Sequence, residues 1–342
     1  MAKNVKMEDI AKKAGVSVVT VSKALSGKKG VSEAMRNKIK LLVEEMGYEQ
    51  KSEKEMIRNE KTFQIGIIVQ QRFLGKYASF YWMLYQQITA QAGQCNCFSM
   101  LEVITKEDLE ECNVPKLLKE KLVEGIVVIG QPGRNYLEML RNKSTVPLVF
   151  VDFYDDYGDG DFVISDSFYG AYAMTNYLIS LGHRNIAYVG TLLSTPSITD
   201  RYLGFMKSLM EHGLTLNPQW VIDDRSIDFS DEGIYVSLPE NLPTAFVCNS
   251  DRTASVLIKK LKEIGCRVPE DVSVTGYDNF LDPGLCDIGI TTYEVDTRQM
   301  AHVALKMLMK KMRKETYKKG IHIVEGKVVI KESTANITLG NL

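Results

Sequence analysis

The chain has 342 residues, 45% hydrophobic and 25% charged, with a formal net charge of −1; this is a globular profile with length for about two domains and ample core. The opening MAKNVKMEDIAKK has no apolar signal region, and no later run approaches the roughly 20 apolar residues of a membrane span, so a soluble, cytoplasmic protein without membrane contact is expected. Six scattered cysteines, with only Cys95 and Cys97 close together, fit a reduced protein better than a metal or redox motif. The charge is unevenly divided. Residues 1–48 hold ten Lys/Arg against five Asp/Glu, residues 49–61 hold four of each, and the remainder carries a net −6. A small basic head on a larger acidic body points to a polyanion-binding module.

The head reads as three helices. The first, over 7–14, buries Ile10, Ala11 and Ala14 and breaks at Gly15. In GVSVVTVSKALSG, residues 15–27, Ser17 is an N-cap and Gly27 a stop, so a helix runs from Val18 to Leu25. At 3.6 residues per turn, Val21, Ala24 and Leu25 face inward, while Val19, Ser22 and Lys23 face water. An exposed valine beside a serine and a lysine suits a face that meets something. Ser32 caps a third helix with an apolar stripe of Met35, Ile39, Leu42, Val43 and Met46, ended by Gly47. Two short helices joined by a tight turn, with a third packed across, make a helix-turn-helix; a three-helix protein-docking module is the alternative.

Residues 49–62, EQKSEKEMIRNEKT, are a charge-balanced linker in which only Met56 and Ile57 are apolar. From Phe63 the pattern becomes strand–helix alternation. IGIIV, CFSML, GIVVIG, PLVFVDF, NIAYVG, TAFVC and DVSVTG are strand-length apolar runs. SFYWMLYQQITAQAG, SDSFYGAYAMTNYLISLG and DRTASVLIKKLKEIG are helical. Repeated so often, the alternation implies parallel doubly wound sheets, and about 280 residues of it make two lobes.

Catalytic motifs are lacking: there is no Walker A, GxGxxG after a strand, G-x-S-x-G or HExxH. His183, just past the helix-ending Gly182, is expected to cap carbonyls at a helix-to-strand turn. From the acidic run DFYDDYGDGD onward, Asp155, Asp159, Gly160 and Asp166 have partial EF-hand spacing. Tyr157 stands at a ligand position, so an exposed acidic turn is the better reading, and no metal is expected.

VKMEDIAKKAGVSVVTVSKALSGKKGVSEAMRNKIKLLVEEMGY resembles the DNA-binding head of the lactose-repressor (LacI/GalR) family. SDSFYGAYAMTNYLISLGHRNIAYVG, RYLGFMKSL, VPEDVSVTGYDN and KVVIKEST resemble that family's core in order and spacing. The resemblance spans the chain. It implies a homodimeric transcription regulator and repressor, not an enzyme, with no cofactor. The expected fold is an all-α helix-turn-helix head on a periplasmic-binding-protein-like (type I) α/β core of two doubly wound parallel-sheet lobes. The implied domains are a DNA-binding head over 1–48, a hinge over 49–62, and an effector-binding and dimerisation core over 63–342. Lobe 1 would take about 63–160 and 292–321, and lobe 2 about 161–291 and 322–342, giving three crossings.

The resemblance also implies roles. The second helix enters the major groove of double-stranded operator DNA, with Val18 and Val19 the discriminating pair, suited to thymine methyls. Lys23 suits guanine, Ser17, Thr20 and Ser22 suit phosphates, and Met7 stands near the bases. In the hinge, Ile57 takes the place of a minor-groove wedge and Arg58 of a phosphate contact, although Tyr48 is followed by EQKSEKEMIRNE, whose Glu53 and Glu55 oppose DNA. A plain charged tether is the competing reading. In the core, Arg201 and Asp278 match the effector-gripping pair, suited to the hydroxyls of a carbohydrate. Ser250 replaces an asparagine, Phe80 and Tyr81 match an aromatic pair, and Tyr77 lines the pocket. A transport-type solute-binding protein and a sugar kinase are the alternatives from other classes. The basic head argues against the first and the absent phosphate loop against the second.

Overall fold

The computed structural model describes residues 6–25, 30–46, 62–74, 79–155, 160–226, 233–281 and 284–337. The chain divides into two compact units, Met1–Lys61 and Thr62–Leu342. In the first, α1 (Met7–Ala14), α2 (Val18–Leu25) and α3 (Glu33–Met46) stand where the sequence places them. Gly15, at φ 74°, ends α1 in a left-handed turn that a β-carbon would strain. The Thr20 amide donates to Ser17 Oγ (3.2 Å), which caps α2, and Arg36 Nη1 closes the other end by donating to the Ala24 carbonyl (3.0 Å). Ile10, Ala11, Ala14, Val21, Ala24 and Ile39 form the core, with Met7, Leu25, Met35, Leu42, Val43 and Met46 packed around it. The hinge segment 49–61 lies outside the described residues.

The second unit runs β1 (Phe63–Gln70), α4 (Gln71–Leu74), α5 (Phe80–Gln94), β2 (Cys97–Ile104), α6 (Lys106–Glu110), α7 (Lys116–Lys119), β3 (Gly125–Ile129), α8 (Arg134–Lys143), β4 (Leu148–Val151) and β5 (Phe162–Ser165). It continues through α9 (Ser167–Ser180), β6 (Ile186–Val189), α10 (Pro196–Glu211), β7 (Val221–Ile222), β8 (Ala245–Cys248), α11 (Asp251–Glu263) and β9 (Ser273–Asp278). It closes with β10 (Thr291–Glu294), α12 (Thr297–Met312), β11 (Ile321–Val324) and β12 (Lys327–Val329). Two six-stranded sheets result among the described residues, ordered β11-β5-β4-β3-β1-β2 and β12-β10-β9-β8-β6-β7. Every pairing is parallel except β10 with β12. Buried strands such as Gly125–Ile129 and Ala245–Cys248 read as continuous apolar runs because helices cover both faces of a parallel sheet.

The chain crosses between sheets three times, after β5, β10 and β11. Each crossing falls a few residues later than the sequence boundaries at 160, 291 and 321. The cause is pairing: β5 completes the first sheet between β4 and β11, and β10 completes the second beside β9, before the chain turns.

Two further expectations are corrected. His183 does not cap carbonyls. Its buried ring bridges the hydroxyls of Thr244 (3.0 Å) and Ser273 (2.9 Å) and the Ala335 carbonyl (3.2 Å), and burial pushes its pKa down. Arg184 Nη1 takes the capping role, donating to the carbonyls of Ile179 and His183. Nor is the acidic run simply an exposed turn. Asp155 pairs with Arg141 (2.8 Å), and Asp161 accepts from Lys311 (2.5 Å), Tyr317 (2.8 Å) and the Gly320 amide (3.1 Å). Asp166 caps α9 by accepting from the Tyr169 amide (3.1 Å).

Helices α9 and α10 cross at Gly204, where a β-carbon would run into the Phe168 carbonyl. Overpacking against backbone has no easy relief, so Gly204→Ala is expected to destabilise the core by about 1–3 kcal/mol. A lowered thermal midpoint checks it, with helical content retained below the transition.

Candidate DNA-binding face and interlobe site

On α2 the helical phase leaves Val18 40% and Val19 62% exposed, while Val21 is fully buried. Ser17, Ser22 and Lys23 are exposed beside them, and Thr20 and Met7 are half-buried. The Ser17 and Thr20 hydroxyls bond each other (2.9 Å), so the cap that starts the helix also holds both side chains in place. Two valines, two serines and a lysine therefore share one short rigid face, carried on a unit whose sequence bears a net +5 over residues 1–48. Ile57 and Arg58 lie outside the described residues, as does Tyr77.

In the second unit, chemistry gathers at the C-terminal ends of both sheets, where parallel α/β lobes place ligands. Arg201, on α10, is 6% exposed. Its Nη1 donates to the Asn249 carbonyl (2.6 Å), Nη2 lies 3.6 Å from Asp278 Oδ1, and the guanidinium sits 3.7 Å from the Tyr277 ring centroid. Its Nε is buried with no hydrogen-bond partner among the described residues. Asp278 ends β9 at φ 100°, a left-handed backbone that costs a non-glycine residue of order 1–3 kcal/mol and is concentrated at functional sites.

The opposing lobe contributes Asp152, which directly follows β4 and is also left-handed, at φ 68°. Tyr81, at the start of α5, hydrogen-bonds the Asp152 carboxylate and feels Asp278 and Arg201. Its ring stacks on Phe73 (4.2 Å between centroids) and meets Phe80 edge-on (5.6 Å). Gly130, at φ 72°, admits both rings, since a β-carbon there would collide with Phe73. Phe80 itself packs into the lobe's core. Burial pushes Asp152 up to about 6, against the pull of Arg201 and Tyr81. Burial likewise lifts Asp278 to about 7 although Arg201 opposes it, with the Asp152 charge adding to the rise.

Lobe 2 backs the site with a fixed polar network. Asp224 accepts from the Thr191 amide (3.0 Å), Asn249 Nδ2 (2.7 Å), Thr253 Oγ1 (2.7 Å) and the Arg225 fork (3.0 and 2.6 Å). Burial works against its ionisation, but Arg225 and these hydrogen bonds bring it down to about 2. Ser250 caps α11, accepting from the Thr253 amide (3.1 Å), so its hydroxyl is engaged locally while neighbouring Asn249 joins the network. A direct interlobe bond runs from the Tyr154 hydroxyl to Asp200 (2.9 Å). The recess beside it, lined by Asp152, Ser197 and Asp200 among others, measures about 10 Å³, room for at most one water. A larger recess of about 400 Å³ lies on the flank between α12 and β11, and no candidate residue lines it.

The structure thus brings Tyr81, Arg201 and Asp278 together and adds Asp152, Asn249 and Asp224–Arg225, which sequence reading missed. The missed signal was position: Asp152 and Asn249 directly follow the runs PLVFV and TAFVC, where strand ends meet the cleft.

A helix-turn-helix unit joined to a two-lobed core with polar chemistry between its lobes defines a ligand-responsive DNA-binding regulator. A family model of bacterial regulatory proteins, lacI family, matches residues 6–50, and one of the periplasmic binding protein-like domain matches 175–334. The chain belongs to the lacI family. The HTH-type transcriptional repressor PurR of Pasteurella multocida (strain Pm70) is 28% identical over 334 residues, 96% of this chain and 98% of that protein. The HTH-type transcriptional regulator RegA of Clostridium saccharobutylicum is 29% identical over 335 residues, with the same coverage. The lac repressor dimer bound to operator and the anti-inducer ONPF matches with TM-score 0.64 at 23% identity, over 97% of this chain and 100% of that one. The transcriptional regulator CelR in complex with cellobiose matches with TM-score 0.67 at 21% identity, over 96% and 99%. These relatives are regulators, not enzymes, and no described helix is long and apolar enough to cross a membrane.

The raised carboxylates give a pH signature. Their folded pKa values, about 6 and about 7, lie above the ordinary 3.8, so the stability they allow is fully present below about pH 4. It is lost as pH rises through 6 to 7. The core's thermal midpoint is expected to fall between pH 5 and 8, and Asp278→Asn to flatten that slope. Melting curves across this range check it; a midpoint that rises with pH contradicts the assignment.

Proposed function

We propose that this regulator is a repressor of carbohydrate-utilisation genes that binds operator DNA as a homodimer and holds a sugar or sugar derivative between its lobes. The observation that carries the effector site is Arg201: a buried guanidinium with an unpartnered Nε, 3.6 Å from Asp278 of its own lobe and within electrostatic reach of Asp152 of the other. A fork of donors beside carboxylate acceptors matches adjacent hydroxyls. Tyr81, backed by Phe80 and joined by Tyr77, supplies the apolar face, and Ser250 holds the end of α11 against the site. Among proteins of the same fold, CelR is titled as a cellobiose complex and a lacI-family regulator from Enterococcus faecium as having bound ribose, which favours this ligand class.

On the DNA side, Val18 and Val19 meet thymine methyls, Lys23 reads guanine, and Ser17, Thr20 and Ser22 take phosphates, with Met7 near the bases. Ile57 and Arg58 extend the contact into the minor groove. Effector binding shifts the balance of lobe arrangements and so the affinity for operator.

Two measurements test this. Operator affinity is expected to fall with salt at a log–log slope of magnitude on the order of 4–10. In the same gel-shift assay Lys23→Ala is expected to cost roughly 1–3 kcal/mol on operator and less on random DNA; a flat salt response excludes DNA as the partner. In a thermal-shift panel of sugars on the full chain, Arg201→Ala is expected to weaken the stabilising sugar by about 2–4 kcal/mol without loss of operator binding. An unaltered shift places the effector elsewhere.

A further inference from the structure

An acidic residue in the first turn of a helix ordinarily serves that helix. Asp251, the first residue of α11, does not. Ser250 already caps α11 through the Thr253 amide, and the Asp251 side chain, 2% exposed, turns away from its own helix. Its Oδ2 accepts from the Phe280 amide (3.0 Å), 29 residues further along the chain. Its Oδ1 lies over Gly276 of β9, where a β-carbon would collide with it, and is buried with no hydrogen-bond partner among the described residues. Burial pushes the carboxyl up to about 8, with Asp278 adding to the rise and Thr292, Lys331 and the Phe280 amide opposing it. Asp251 is therefore largely a neutral acid at neutral pH, the form in which an orphaned buried oxygen costs least.

The bond to Phe280 shows what such a group is for. Phe280 follows Asp278 and Asn279, whose φ values of 100° and 52° put two successive non-glycine residues in the left-handed region. A turn of this kind persists only where its surroundings over-determine it. One flank is held from β10 and from the segment after β12. The Asn279 amide donates to Thr292 Oγ1 (3.3 Å), Asn279 Nδ2 to Glu294 (2.8 Å), and Lys331 Nζ to Asn279 Oδ1 (2.7 Å). The Val295 amide, where the chain leaves for lobe 1, donates to the Asp278 carbonyl (3.4 Å). On the α11 flank the hold is Asp251, through Phe280. Between these anchors the turn fixes the direction in which the Asp278 side chain leaves β9, and so its 3.6 Å approach to Arg201.

We propose that Asp251 is a positioning residue of the interlobe site: by holding the Phe280 amide it keeps the Asp278–Asn279 turn left-handed and the Asp278 carboxylate on Arg201. Its consequence for ligand affinity rests on the interlobe effector reading above, and a ligand need not touch it.

The test compares Asp251→Ala, Asp251→Asn and Gly276→Ala in the full chain. Crystal structures without ligand give the Asp278–Arg201 separation, and amide exchange in solution gives the protection of Phe280. Asp251→Asn keeps a carbonyl oxygen for Phe280 and matches the neutral acid, so it is expected to retain the pairing. Asp251→Ala is expected to lose it, with Phe280 exchanging at least tenfold faster. Gly276→Ala, whose methyl group displaces the carboxyl while Asp251 is still present, is expected to do the same, and it carries the comparison should Asp251→Ala not fold. A pairing left intact in both alanine variants, or lost equally in Asp251→Asn, overturns the role. Affinity is read separately by thermal melting with cellobiose and with ribose. For a sugar that protects the wild type, the half-saturating concentration is expected to rise at least tenfold in Asp251→Ala and less than threefold in Asp251→Asn; equal values in wild type and Asp251→Ala overturn the proposal. If neither sugar protects the wild type, the sugar assignment loses its support, while the pairing and exchange results still decide the role of Asp251.

Discussion

The core is organised around one buried charge. A guanidinium cannot shed its proton in a protein, so Arg201 is tolerable inside only where fixed groups replace its water. Asn249 gives a carbonyl, Tyr277 a ring face and Asp278 a carboxylate from the same lobe, while Asp152 arrives from the other. The approach of the lobes is therefore partly an electrostatic act, since closing them brings Asp152 toward a cation it would otherwise lack. The same arrangement leaves Asp278 against Arg201 and Asp152 within its electrostatic reach, and burial raises both carboxylates' pKa values. What joins the lobes also loads the joint.

The two walls are built differently. Lobe 2 is fixed by the Asp224 network and by His183, which ties Thr244, Ser273 and Ala335 together behind the sheet. Its helices α9 and α10 lie close enough that Gly204 must lack a side chain. Lobe 1 instead presents stacked rings, Phe73 on Tyr81 over Gly130, with Arg72 laid across Phe73. Hydrogen-bonded charge on one side and aromatic surface on the other is a division suited to a ligand with an apolar face and polar substituents.

Much of this was legible in the sequence. The helices of the first unit follow from period and caps, because Ser17 and Gly15 are local signals needing no distant partner. The strands β1, β2, β3, β4, β6, β8 and β9 follow from strand-length apolar runs. Of the strands left unread, β5, β7, β10, β11 and β12, four flank the crossings, where identity depends on which sheet edge is open. Arg201 and Asp278 came through resemblance. Asp152 did not, because its neighbours form an acidic run that reads as one loop, whereas the fold sends Asp152 to the cleft, Asp155 to Arg141 and Asp161 to Lys311. His183 was placed by its neighbour Gly182, but its ring reaches partners far away in sequence. Long-range pairing is what a local pattern does not encode.

The recess beside the interlobe bond sets what a ligand entering it must do. At about 10 Å³ that recess has no space for a sugar, so under the proposed effector reading a ligand entering there binds a more open arrangement or takes over the contacts that hold this one. A ligand moves such an equilibrium only by its difference in affinity between the two arrangements, and a shift from mostly one to mostly the other needs about 5.5 kcal/mol. Neutral hydroxyls exchanging for Tyr154–Asp200 and for water offer a modest difference, since each hydrogen bond contributes about 0.5–1.5 kcal/mol net. Groups meeting Arg201, Asp152 and Asp278 offer more, because charge-assisted bonds are roughly twice as strong. Under the proposed effector reading, the discriminating power of the site therefore resides in its buried ions, Arg201 with Asp278 and Asp152.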